Sequence, residues 1–494
     1  MNNLLSKIRY GKKVNLTVCL FLCLIPLWSF AQDFSFDARL RQAYASALNL
    51  RTGEALLLAY PETSVEEVYI ASLAEAIELL ITEDYTKFSQ YEERLQNRLD
   101  QNIKSTSRDY QFLQAELRVQ WSFVYLKFGH ELDAALLLRQ AFQIAQSCKA
   151  KYPDYLPIRK TTGILDVILG SIPEKYNWVL GLLNMKGSVA AGLSDLEKIS
   201  QADHPLSMEG KLLHALVQGF VLQQTESGYA AMQQILNGDL HNSLTIFLTA
   251  SLALKNSENQ AALELLQGLS DSTLSFPFYY ADYLKGEAYL QKADYLNSIS
   301  SFRWFINHHT GQNYIKDAHY KIGLCYWLNG NENDALATFQ EARSKGKEAT
   351  EADKSAARNL AERDPPHINL SKVRYFTDGG YYVEAEKVLS AITIRELTDK
   401  KDQVEYYYRK ARLAHKLNQS DAATLYQKTI ELTSQNQWYF APNACLQLGY
   451  IFQAQNKIAE AKAYFERAIS YRRHEYKNSI DSKAKSALAQ MKRK

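Results

Sequence analysis

One spacing governs this chain. Gly286, Gly323 and Gly449 each stand three residues before an aromatic: Tyr289, Tyr326 and Phe452. Twelve residues after each glycine stands a small residue: Ser298, Ala335 and Ala461. Phe302, Phe339 and Phe465 follow at sixteen, then Phe305, Ala342 and Ala468 at nineteen. Two further units fit without the glycine, one at Val373, Phe376, Ala385 and Leu389, the other at Lys410, Leu413, Ala422 and Tyr426. Small residues at fixed spacing let two helices approach closely, and large aromatics fill the gap to the next unit. A two-helix unit cannot bury its face alone, so such units must stack.

The order resembles the tetratricopeptide repeat (TPR), whose period is about 34 residues. The intervals here are 37, 50, 37 and 39 residues, so extra chain must sit in turns or lengthened helices. The resemblance implies an all-α fold: a right-handed α-solenoid of antiparallel helix pairs with a C-terminal capping helix. In the same frame Pro366 and Pro442 fall on the first position of helix A and Pro277 two residues before it. Proline is favoured there and excluded from helix interiors. Asn329-Gly330-Asn331 and Asp378-Gly379-Gly380 read as helix stops. The longest interval holds a polar helix near 348–363, with a stripe of Ala349, Ala352, Ala356 and Leu360, and reads as a solvated surface helix. Ile480, Ala484, Ala487, Leu488 and Met491 share one face of a terminal helix, as a solenoid cap requires.

Composition agrees. Hydrophobic residues are 46% of the 494, which excludes a largely disordered chain, and 21 Gly and 10 Pro are few for a turn-rich β protein. The first 32 residues hold Lys7, Arg9, Lys12 and Lys13 and no acid, so the formal charge of +3 comes from them; the remainder carries 53 basic residues against 54 acidic. A chain this balanced is not a general nucleic-acid binder. Those basic residues, the apolar run 16–30 and Ser29-Phe30-Ala31 together read as a secretory signal peptide cut before Gln32. The run is short for a membrane span, and no later segment approaches the length of one. An exported protein, periplasmic or envelope-associated, is therefore expected. Neither Cys19 nor Cys23 follows the small residue that a lipidation site needs. Cys148, Cys325 and Cys445 are far apart and read as buried thiols rather than a disulfide framework.

The predicted organisation is a signal peptide at 1–31, an N-terminal helical-repeat region at 32–270 and a TPR array with its cap at 271–494. In the N-terminal half, Trp121-Ser122, Tyr125, Gly129, Ala134, Leu138 and Ala141 mark one unit, and 64–81 with 84–103 form another pair. Two more pairs lie in 207–266, with turns near Glu226-Ser227-Gly228 and Asn256-Ser257-Glu258-Asn259. The stretch 163–196 breaks the pattern: Gly163, an apolar run to Pro173, Leu182-Leu183, Gly187, then Gly192-Leu193 and Leu196. This order resembles the central segment of the tetratricopeptide repeat protein 39 family, which implies a buried, non-repeat helical insert at about 163–199.

No zinc, phosphate, thiol-redox, nucleophile-elbow or calcium motif occurs. His308, His309 and His319 form the one local histidine cluster, in a turn and without ligand-spaced partners other than Asp317. Glu66-Glu67 and Glu92-Glu93 are adjacent on helices, so each pair points apart. No catalytic residue, cofactor or metal is expected, and the chain reads as a non-catalytic scaffold. In the TPR frame the fifth, ninth and twelfth residues of helix A line a concave groove. Transferred by resemblance, these include Tyr283, Glu287, Tyr320, Trp327, Arg374, Tyr407 and Tyr450, a partner-binding strip of aromatics edged by charge. The fifth and ninth positions lack the Lys and Asn of carboxylate-clamp TPRs. The expected partner is a protein or peptide in an envelope assembly. The alternative is an outer-membrane glycan-capture protein of the starch-binding helical type; Trp327 alone offers it a stacking platform. The tail 471–494 carries eight basic and two acidic residues. It reads as a solvated face, with peripheral contact to an anionic surface as its other reading.

Overall fold

The computed structural model describes residues 34–100, 107–171, 185–239, 242–269, 274–362, 364–434 and 436–491. The signal segment 1–31 and residues 172–184 of the glycine-bearing stretch lie outside them. From Phe36 the chain forms one compact unit. Among the described residues there are α-helices and no strands, and no helix is long and apolar enough to cross a membrane.

Seven helices make the first part: α1 (Ala38–Leu48), α2 (Thr52–Ala59), α3 (Val65–Thr82), α4 (Tyr85–Asp100), α5 (Arg108–Lys127), α6 (Glu131–Lys151) and α7 (Pro157–Ser171). Next come α8 (Val189–Ser200), α9 (Ser207–Leu216, running on into a π-helical turn Val217–Val221), α10 (Thr225–Gly238), α11 (Ser243–Lys255) and α12 (Asn259–Gly268). The C-terminal pairs are α13 (Tyr279–Gln291) with α14 (Tyr295–His308), and α15 (Ile315–Leu328) with α16 (Glu332–Ser344). After α17 (Glu351–Ala361) follow α18 (Ile368–Gly379) with α19 (Tyr382–Ser390), α20 (Lys400–Lys416) with α21 (Ala422–Thr433), α22 (Phe440–Ala454) with α23 (Ile458–Ser470), and the single α24 (Lys477–Met491).

The repeat frame is physically real. A Cβ on Gly286 would lie 2.7 Å from Phe302, on Gly323 2.7 Å from Phe339, and on Gly449 2.5 Å from Phe465. In each pair, therefore, the ring of helix B occupies the space that a side chain on helix A would need. Ser298, Ala335 and Ala461 are fully buried at the same crossings, as are Ala385 and, nearly, Ala422 in the glycine-free units. Gly380 closes α18 in the left-handed region at φ +85°, where a Cβ would be strained and would also run into the Ser257 carbonyl. The α5–α6 pair repeats the scheme with Trp121, Ser122, Ala134 and Ala141 buried. The α7–α8 crossing is equally tight but backbone to backbone, because a Cβ on Gly192 would sit 2.5 Å from the Gly163 carbonyl oxygen.

Three expectations shift. Pro366 lies ahead of His367, the N-cap of α18, and so stands outside the helix, and Pro442 is the third residue of α22, whereas Pro277 keeps its expected place two residues before Tyr279, the first residue of α13. Glu226-Ser227-Gly228 is not a turn but the start of α10, which packs so closely that a Cβ on Gly228 would lie 2.6 Å from the Gly219 nitrogen. Helix α17 is not simply a solvated surface helix. Thr350 and Asp353 form a capping box, and Asp353 is fully buried, accepting the Tyr314 N–H at 2.9 Å and the Asp317 N–H at 3.1 Å. Its carboxylate thereby clamps α17 to the start of α15, a role that a mixed-charge pattern does not announce.

The array ends as the terminal apolar face requires. Ile480, Ala484 and Ala487 of α24 are buried against a core containing Tyr408, Tyr426, Phe440 and Phe465, with Leu488 and Met491 packed at its edge. Distant helices also touch. The Asn259 amide donates to the Ala288 carbonyl at 2.7 Å and to Tyr381 at 3.1 Å, and the Ser482 hydroxyl donates to the Ser171 carbonyl at 3.2 Å. Glu83 accepts the N–H groups of Gln312 and Asn313 at 3.2 and 3.3 Å and pairs with Lys127 at 2.7 Å. It ties the end of α3 to the α14–α15 turn, 229 residues away in sequence.

Candidate partner-binding groove

The helix A residues of the C-terminal pairs divide by depth. Tyr283 and Tyr320 are in the interior, 4% and 7% exposed. The Tyr283 hydroxyl donates to Asp317 at 2.7 Å, and its ring packs on Tyr314, Phe302 and Phe305. Tyr320 stacks on Phe339 at 5.6 Å and forms part of the wall of a cavity of about 280 Å³ between α16 and α17. Both rings hold the scaffold and do not stand open as anchors. Tyr450 is half-buried with its ring edge-on to Phe465 at 5.2 Å. Trp327 is also half-buried, and its indole N–H donates to the Pro366 carbonyl at 2.8 Å. That bond spans the 39 residues occupied by α16 and α17 and fixes where α18 begins. Tyr407 is half-exposed, edge-on to Tyr406 at 5.4 Å.

The charged members behave differently. Glu287 is half-buried and ion-paired with Lys321, which also pairs with Asp317 at 2.6 Å. Burial raises the Glu287 carboxyl above its usual range, against the pull of Lys321 and, further off, of Arg374. The Arg374 side chain is 38% exposed, lies over the Tyr375 ring at 5.3 Å and stands 3.8 Å from Asp378. Asp378 takes a second cation, Arg412 of α20, at 2.7 Å. Arg409 pairs with Glu405 and donates to the Tyr439 hydroxyl at 2.9 Å. Tyr439 meets Tyr476 edge-on at 5.2 Å, and Arg358 of α17 lies over Tyr476 at 5.6 Å. Glu287 and Arg374 thus belong to one charged, tyrosine-lined surface that runs across α13, α15, α18 and α20. Asp378, Arg412 and Tyr439 also belong to it, with Lys321 and Arg409 buried beneath, and the fifth–ninth–twelfth frame did not reach them. Their signal was available on α20, where Arg409, Arg412 and Lys416 recur at helical spacing and so share a stripe.

The surface holds no set of groups with an evident reaction. Burial pushes the Cys148 and Cys445 thiols to about 11 and Cys325 to about 12, so none is a thiolate at neutral pH. His309 is buried beside Glu83 at 3.6 Å, and burial lowers His319 below the usual imidazole range. Among the described residues no group of three His, Cys, Asp or Glu could hold a metal ion.

A tetratricopeptide repeat family model matches residues 442–475, the α22–α23 pair. No curated protein matches the chain. Solved structures with a similar arrangement include the human IFIT1 dimer with PPP-AAAA, at 14% identity and TM-score 0.37, covering 89% of this chain and 95% of that one. Yeast Tom70 matches at 13% identity and TM-score 0.26, covering 92% of this chain and 82% of that one. The P58(IPK) TPR domain matches at 14% identity and TM-score 0.21, over 75% of this chain and 98% of that one. The family model identifies residues 442–475 as a tetratricopeptide repeat, and the crossings at Gly286–Phe302 and Gly323–Phe339 show the same helix-pair packing in two earlier pairs.

Proposed function

We propose that the chain is an exported, non-catalytic scaffold that holds a segment of a protein partner on the concave face of α13, α15, α18 and α20. The carrying observation is the half-exposed, charge- and tyrosine-lined surface from Glu287 through Arg374 to Arg412. Such a mixture suits an extended or helical peptide better than a small metabolite, since it offers many shallow contacts and no enclosed pocket with converging groups. Repeat arrays present long surfaces of this kind by construction. Export rests on the order of residues 1–31, basic then apolar then small, and a cell-envelope partner is proposed with it. The likeness of 163–196 to the tetratricopeptide repeat protein 39 family carries over only a helical fold with a buried, non-repeat insert, with which the close glycine contact of α7 and α8 accords.

Two measurements test this. Mass spectrometry of the purified protein should find a mature N-terminus at Gln32 or within a residue or two; an intact residue 1 in the cell's membrane pellet overturns export. Co-purification from the envelope fraction should recover a protein partner that Arg374→Ala releases while the melting temperature holds. A partner indifferent to Arg374 overturns the groove.

A further inference from the structure

The charge on this surface is unevenly placed. At the α13–α15 end, Lys321 answers two carboxylates, Glu287 and Asp317, so the acid outnumbers the base. At the α18–α20 end the balance reverses. One carboxylate, Asp378, is shared by Arg374 and Arg412. Glu405 is taken by Arg409. Lys416 follows Arg412 by one turn and is exposed. Lys483 of the capping helix is half-buried, and burial first, then the Arg412 guanidinium, hold its ammonium below the usual lysine range. Lys255, at the end of α11, is pushed to about 8 by burial and by Lys483. Lys483 is opposed by Arg412 and Lys255 by Lys483, whereas Lys416 also feels the carboxylates of Asp378 and Glu258; a neighbouring anion would relieve the repulsion at the first two.

We propose that the Arg374–Arg412–Lys416–Lys483 end of the concave face is the receptor for a carboxylate-rich stretch of an extended protein segment. The assignment deepens the groove reading above and rests on it. Guanidiniums fork onto carboxylates, and the two lysines add charge with little demand on geometry. The dipolar layout also sets direction. The acidic stretch lies toward α20 and α24, and the neutral or basic part of the segment lies toward Glu287 and Asp317. A continuous phosphate backbone suits this surface less well, because Asp378, Glu405, Glu287 and Asp317 lie along the same track and the chain beyond residue 32 has no basic surplus.

The test uses the full mature chain and a short fluorescent peptide alternating Glu with Leu, compared by anisotropy with the same peptide carrying Gln for Glu. The Glu peptide should bind at least tenfold more tightly, and added salt should weaken it. The double variant Lys416→Gln/Lys483→Gln removes two side chains at solvent-reached positions. It should lower affinity about tenfold with the melting temperature unchanged, the size expected for lost contacts to a charged group. Equal binding of the Gln peptide, or an unaltered double variant, overturns the proposal. So does a single-stranded RNA oligomer that binds more tightly than the Glu peptide, which would reassign the surface to nucleic acid. If Arg374→Ala releases the co-purified partner but the Glu peptide shows no preference, the groove stands and the acidic ligand falls. A partner that ignores every concave variant removes both.

Discussion

Gly449 and Glu83 show two ways in which one residue shapes the array. Gly449 is a vacancy filled by Phe465, and its role follows from spacing alone. Gly449→Ala should overpack the α22–α23 crossing and cost ~1–3 kcal/mol of stability. Gly238→Ala, with open space around the new methyl, should be near neutral; thermal denaturation of both variants checks the contrast. Glu83 was not legible, because its partners come from α5 and from a turn more than two hundred residues away. Burial opposes its ionisation, but His309 and Lys127 outweigh that and bring the carboxyl to about 2. The unfolded chain would protonate this carboxyl near ~4.3. Its stabilisation is therefore complete above that value and is lost as pH falls toward 2. Glu83→Gln should lower stability at neutral pH and flatten part of the acid decline, measured by urea unfolding across that range. The depth of Tyr283 and Tyr320 was likewise beyond the repeat frame, which gives the direction of a side chain but not what closes over it.

At the scale of elements, periodicity revealed the pairs α13–α14, α15–α16 and α22–α23 because each carries its own glycine and phenylalanine. The polar core of the N-terminal half stayed hidden, since its members share no local pattern. Lys160 of α7 pairs with Glu116 of α5 at 2.6 Å and Glu209 of α9 at 2.9 Å, and donates to Tyr69 of α3 at 2.7 Å. Tyr44 of α1 adds a bond to Glu209 at 2.9 Å. Four helices thus meet at one buried ammonium and a fifth joins through Glu209; Glu116 and Glu209 keep the ammonium protonated despite its burial. Lys160→Met would leave two carboxylates without their cation in the interior, and should cost ~3–5 kcal/mol. Adding Glu116→Gln and Glu209→Gln should recover much of that loss; chemical denaturation of the single and triple variants decides it. Asp353 hid for the same reason, as a charge in an apparently solvated helix whose bonds reach the start of α15.

For the whole molecule, the repeated pairs predict a structure whose ends need sealing, and α24 does this for the last pair. Removing residues 477–494 bares the side of the core that holds Phe440 and Phe465. The shortened chain should melt at a lower temperature and self-associate, as sedimentation would report. The same helix carries Lys483, whose ammonium feels the Arg412 guanidinium, so the proposed acidic-segment site draws on the cap as well as on α18 and α20. The account's central claim is that binding belongs to this concave face and not to the outer helices. The most direct test is the affinity of the co-purified partner for Arg374→Ala beside Val383→Ala, whose side chain is 77% exposed on α19. The account predicts at least tenfold weaker binding for Arg374→Ala, no change for Val383→Ala and equal melting temperatures for both. Loss of binding by Val383→Ala with Arg374→Ala unaffected would contradict it.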